Sequence, residues 1–149
     1  MAELSAQAQL IVKGTAPLLK EKAAAVTTRM YELMFSNHPE VKPLFVNAPN
    51  NQNEILARSI IAYSENIDNL AALDGALDKI AQHHLNTKVK PEHYPIVAEA
   101  LLQAMVEVLG DVVTDEILNA WKEAYWFLAD VLIERENALY QQQAGLKVA

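Results

Sequence analysis

Apolar residues in this chain return at every third or fourth position, and that period limits the fold more than any other feature. Val26, Met30, Leu33 and Met34 fall on one helical face, as do Leu56, Ile60 and Tyr63, and again Val97, Leu101, Met105 and Val108. Trp121, Tyr125, Leu128, Leu132 and Leu139 continue the pattern near the end. No region shows the sustained alternation bounded by turn pairs that a half-buried strand needs. With only four Gly and six Pro in 149 residues, the chain favours an all-α fold of about seven helices. Its length suits one domain, 1–149, with enough residues to bury a substantial core.

Capping and breaking residues set the expected boundaries. Ser5 is a good N-cap for a first helix that runs toward Leu18 and Leu19, with Gly14 and Pro17 weakening its end and a second helix starting near Lys22. Ser36-Asn37-His38-Pro39 interrupts that helix, and a short one fits Pro39 to Phe45. Val46 to Asn53, rich in Asn, reads as a loop. The helix after it ends near Asn69, and another spans about Asp74 to Leu85. Pro91 opens the next, which Gly110 stops, and Thr114 caps the last. Gln141 to Gln143 and the residues after them read as a fraying tail.

Charge and composition exclude several functions. A net charge of -7 repels nucleic acid and anionic membranes, so neither is an expected partner. The most apolar stretch, Trp126 to Ile133, is too short to span a bilayer and contains Asp130. No secretory leader opens the chain, which makes the cytoplasm the expected location. With no Cys, there can be no disulfide, thiolate zinc site or iron–sulfur cluster. A bound metal would need His, Tyr or carboxylate ligands.

The four His, at 38, 83, 84 and 93, do not follow the H-E-x-x-H spacing of a helical zinc site, and no phosphate-binding Gly loop or nucleophile elbow is present. His84 stands out because it continues the stripe of Leu77 and Ile80, so an amphipathic helix would turn it toward apolar surroundings. A buried imidazole needs a hydrogen-bond partner or a metal. On the stripe alone both remain open, and a hydrogen-bonded core histidine is the commoner outcome. His83 should face outward.

Three segments carry a resemblance: Thr28 to Phe45 (TRMYELMFSNHPEVKPLF), Lys79 to Val97 (KIAQHHLNTKVKPEHYPIV) and Ala120 to Tyr140 (AWKEAYWFLADVLIERENALY). In that order they resemble the bacterial globins of the flavohaemoglobin lineage, and the likeness covers nearly the whole chain. It implies a globin fold around one haem b, with His84 as the protein ligand to iron. Tyr94 and Glu136 match the pair that backs this histidine, where a carboxylate accepting the imidazole proton makes the ligand more basic. Without the resemblance, Glu136 would be a solvated helix charge like Glu134, and Tyr94 an aromatic at the edge of the core.

On the opposite side of the haem, the resemblance matches Phe45 to a ring lying against the porphyrin and Tyr31 to a hydroxyl donor near a bound diatomic. Gln52 matches a second donor and Leu56 a steric wall, while Ile60, Val89 and Val97 match apolar lining. The sequence departs from the family in a shorter stretch between Phe45 and Gln52. It departs again at Trp126, where a smaller residue is the rule; the larger ring would alter packing or narrow a ligand route.

The function implied is reversible binding of O2, NO or CO. Nitric oxide dioxygenase activity is the alternative, and it would require a separate flavin-containing reductase. A gas sensor and a cofactor-free helical bundle also remain open, as do monomer and homodimer.

Overall fold

The computed structural model describes residues 4–45, 51–87 and 89–148, the last six of these by backbone only. Among the described residues there is no strand. The α-helices are α1 (Ala6–Gly14), α2 (Ala16–Asn37), α3 (Gln52–Glu65), α4 (Asp74–Thr87), α5 (Tyr94–Leu109) and α6 (Asp115–Val148). Shorter 3-10 segments cover Pro39–Phe45, Leu70–Leu73, Pro91–His93 and Gly110–Val112. The seven expected elements are therefore the six α-helices and the 3-10 segment at Pro39–Phe45.

Local chemistry explains most boundaries. Ser5 accepts a hydrogen bond from the Ala8 amide, and the Thr114 hydroxyl accepts one from Ile117, each satisfying an otherwise free donor of a first turn. Gly110 ends α5 at φ 64°, a left-handed conformation that glycine adopts without a Cβ penalty.

Four expectations are corrected. Pro17 does not end the first helix but lies in the first turn of α2, where a missing N–H costs nothing, so α2 begins at Ala16 rather than near Lys22. Gln52 and Asn53 belong to α3 and not to the preceding loop, of which Val46–Asn50 lie outside the described residues. Asn69 lies beyond α3, which ends at Glu65, and stands just before the 3-10 segment that follows. The backbone of α6 stays helical to Val148, with no frayed tail from Gln141.

The core is built on α2, which packs against α5 and α3, while α1 and α4 pack against α6. Leu19, Val26, Met30 and Met34 of α2 are almost fully buried. Each such side chain contributes about 1.5–3 kcal/mol by leaving water. Ala104 on α5 and Ala124 on α6 are completely buried, and their small side chains permit close helix approach. The Tyr63 hydroxyl donates to the Ala124 carbonyl at 2.7 Å, which ties α3 to α6 through the core. Two apolar clusters result, one around α2 and one between α4 and α6, with Leu73, Tyr125 and Leu128 packed against both.

Candidate functional site

His84 lies in the last turn of α4, and α6 runs alongside that helix. Leu77 and Ala81 bury the α4 face that continues to His84. Arg135 reinforces the pairing from the surface by bonding both Asp74 and Asp78 of α4. The next residue on α6, Glu136, turns inward and is only 3% exposed, whereas Glu134 is exposed. A buried carboxylate demands compensation.

Two donors supply it. Imidazole Nδ1 of His84 lies 2.8 Å from Glu136 Oε2, and the Tyr94 hydroxyl donates to the same carboxylate at 2.7 and 2.9 Å. Tyr94 is the first residue of α5, so α4, α5 and α6 each contribute one member of this triad. Burial, followed by the neighbouring Glu136 charge, holds the Tyr94 phenol far above its ordinary pKa, so it remains a protonated donor. Because the one phenol proton points at Glu136, the Tyr94 oxygen, 3.1 Å from Nδ1, can only accept from the ring. Both neighbours of Nδ1 are therefore acceptors. The proton must sit on Nδ1, so in the neutral ring Nε2 carries the lone pair.

Among the described residues, Nε2 has no hydrogen-bond partner, and the His84 side chain is 25% exposed. This differs from a core histidine bonded at both ends. No three His, Asp or Glu side chains converge as a metal site among the described residues. The shallow groove between α4 and α6, lined in part by Asp78, Ala81, Gln82 and Leu139, holds neither His84 nor Glu136. Donor chemistry, not concavity, marks the candidate site.

A second group of residues faces in from α2, α3 and the 3-10 segment. Tyr31 and Phe35, one helical turn apart on α2, have ring centroids 5.8 Å apart, and Phe45 meets them edge-on at 5.5 and 5.4 Å. Gln52, at the start of α3, donates to the Tyr31 hydroxyl over a long 3.4 Å. Burial raises the Tyr31 pKa while the Gln52 bond partly offsets it, so this phenol too stays protonated. Leu56, Ile60 and Val97 are half-buried and pack on the cluster around α2; Val89 is half-buried against the other. The set combines flat apolar surface, two polar donors and an imidazole with a free Nε2. That composition fits a haem.

Several bracing residues have no ligand-binding signal in the sequence. Tyr125 donates to the Tyr94 carbonyl at 2.7 Å, and Tyr140 to the Val89 carbonyl at 3.1 Å, so two phenols of α6 hold the segment that follows His84. Trp126 stacks edge-on against Tyr125, with centroids 5.5 Å apart. Phe35 could have been found from its spacing to Tyr31. Nothing short of the fold assigns partners to the two tyrosines.

Residues 28–132 match the family model described as Globin, which is more than half the chain. The chain belongs to the globin family. It is 50% identical over 139 residues to an uncharacterized globin-like protein of Aquifex aeolicus, covering 93% of this chain and 99% of that one. An engineered carbene transferase from Rhodothermus marinus, a candidate nitric oxide dioxygenase, superposes with a TM-score of 0.92 at 38% identity over 95% of this chain and 99% of that one. A flavohaemoglobin from Malassezia yamatoensis, solved with bound FAD and heme, gives a TM-score of 0.81 at 29% identity. This globin covers 38% of the flavohaemoglobin, which covers 93% of this chain. The expected family and globin fold are thus established. Among the described residues no helix is long and apolar enough to cross a membrane.

Proposed function

We propose that this globin is one domain, 1–149, that holds a single haem b through His84 and reversibly binds O2, NO or CO. The observation that carries the reading is the pair of acceptors at His84 Nδ1, Glu136 at 2.8 Å and Tyr94 at 3.1 Å, which draw the ring proton to that side and support Nε2 of the neutral imidazole as the atom offered to iron. The similar flavohaemoglobin solved with bound heme supports it. When bound, ferrous haem supplies the open coordination position at which a diatomic gas is held.

The chain's own groups divide the remaining work. Glu136 accepts the imidazole proton in a charge-assisted bond, which raises the basicity of His84 toward iron. Tyr94 keeps that carboxylate oriented, with Tyr125 holding Tyr94 from behind. From α2 and α3, the protonated Tyr31 hydroxyl would offer a donor to charge that develops on a bound ligand, and Gln52 a second. Leu56, Ile60, Val89, Val97 and Phe45 exclude water by presenting apolar surface.

The second reading is nitric oxide dioxygenase activity supported by a separate flavin-containing reductase in the cytoplasm. The basic, carboxylate-backed imidazole favours it, as does the likeness to a candidate nitric oxide dioxygenase. Mixing the reduced, O2-equilibrated protein with NO in a stopped-flow instrument separates the two. Stoichiometric conversion of NO to nitrate in one fast phase supports the dioxygenase; slow exchange of O2 for NO without nitrate leaves reversible binding alone. Sustained turnover must then depend on an added flavoprotein and nicotinamide.

A further inference from the structure

The first turn of α3 has no side-chain cap of its own, because Asn51 at the N-cap position makes no such bond. Its second residue ties it to α2 instead. Asn53 Nδ2 donates to Thr28 Oγ1 at 2.7 Å and to the Ala24 carbonyl at 3.3 Å, while the single Thr27 hydroxyl proton is shared between the Asn53 and Ala24 carbonyls, each at 3.2 Å. Thr27 is fully buried.

The orientation of the Asn53 amide follows from its partners. The single Thr28 hydroxyl proton goes to the Ala24 carbonyl at 2.8 Å, so Thr28 Oγ1 can only accept from Asn53. The Ala24 carbonyl can only accept as well. Nitrogen must therefore face α2, and Asn53 Oδ1 is left buried without a partner among the described residues. An unsatisfied buried acceptor costs stability, so the fold sacrifices one amide oxygen to keep this seam closed.

Gln52 is the adjacent residue on α3, and Tyr31 lies three residues beyond Thr28 on α2, one turn along the same face. Two neighbouring contacts thus join the helices, one short at 2.7 Å and one long at 3.4 Å. A slide of a few tenths of an ångström between α3 and α2 would break the second while only stretching the first. We propose that Asn53 is a positioning residue that fixes the register of α3 on α2, and thereby holds Gln52 and Tyr31 in the geometry from which they retain a bound diatomic.

This rests on the haem reading above, and the test keeps the two apart. The full-length, haem-loaded protein is reduced and given CO, and the C–O stretching band is recorded by infrared spectroscopy; O2 dissociation is measured by displacement with CO. Unaltered protein should show a dominant low-frequency band from a ligand facing a donor. Asn53→Ala and Thr28→Ala should each add a higher-frequency band and speed O2 release about fivefold, the scale set by one weakened hydrogen bond. In a background that lacks both donors, Tyr31→Phe with Gln52→Leu, Asn53→Ala should change neither readout further. Thr28 is exposed, so Thr28→Ala keeps the test decisive if Asn53→Ala fails to fold. Lowered thermal stability with unchanged bands and rates in Thr28→Ala, or in both variants, would overturn the proposal by making the seam structural only. Failure of the unaltered protein to form any CO complex would instead remove the haem reading, and the proposal with it.

Discussion

Replacing Glu136 with Gln tests the triad with almost no change in shape. In the native arrangement Oε2 accepts from His84 Nδ1 at 2.8 Å and from the Tyr94 hydroxyl at 2.7 Å, and Oε1 lies 2.9 Å from the same hydroxyl. A Gln amide can place its oxygen where Oε2 stands and its nitrogen where Oε1 stands, so both donors keep an acceptor. What disappears is the charge. A hydrogen bond to a charged group contributes about 1.5–3 kcal/mol, a neutral one about 0.5–1.5, so the two bonds together should lose roughly 2 kcal/mol. Water cannot make up the difference, because Glu136 is 3% and Tyr94 6% exposed. Equilibrium urea unfolding at neutral pH measures the loss, with Glu134→Gln, an exposed neighbour, as the control. The same substitution should lower the iron–histidine stretching frequency of the reduced protein, since a neutral acceptor withdraws less of the Nδ1 proton. A stability change within about 0.5 kcal/mol of the control, with an unshifted stretch, would refute the claim that this carboxylate polarises His84.

Further outcomes follow from the same geometry. Tyr125→Phe deletes the 2.7 Å bond to the Tyr94 carbonyl and should cost about 1 kcal/mol in urea unfolding, with the tertiary near-ultraviolet signal retained. Burial, first among the causes in each case, holds the phenols of Tyr63, Tyr94 and Tyr125 well above their ordinary pKa. The unfolded chain therefore releases these protons near pH ~10 while the folded chain keeps them, so stability should fall as pH rises beyond that point, by up to ~1.4 kcal/mol per pH unit for each phenol. An alkaline titration should show the phenolate band of these residues appearing together with loss of helical circular dichroism; gradual ionisation in the folded protein would contradict it. His83→Ala, at an exposed position beside His84, should leave the haem spectrum unchanged.

The sequence carried the helices because their signal is local. Ser5, Thr114 and Gly110 each act within a single turn, so their roles could be read from neighbouring residues. Pro17 misled for a related reason: a proline that weakens one helix is equally suited to open the next, and only the packing of α1 and α2 decides which. His84 was visible as a histidine on an apolar stripe, but its tautomer depends on Glu136, 52 positions away. The resemblance to bacterial globins named Tyr94 and Glu136, whereas periodicity would have left Glu136 indistinguishable from Glu134. The braces from Tyr125 and Tyr140, and the Asn53 seam, were invisible because each side chain bonds a backbone atom or hydroxyl that only tertiary structure brings near.

The central claim is that Nε2 of His84 ligates a haem iron, and the absorption spectrum of the purified protein with its bound pigment quantified tests it most directly. The account predicts an intense Soret band with about one haem b per chain, and a band that is shifted, weakened or lost in His84→Ala. A protein with no Soret band after haem addition, or a His84→Ala variant whose oxidised and reduced spectra match the unaltered protein, would contradict it.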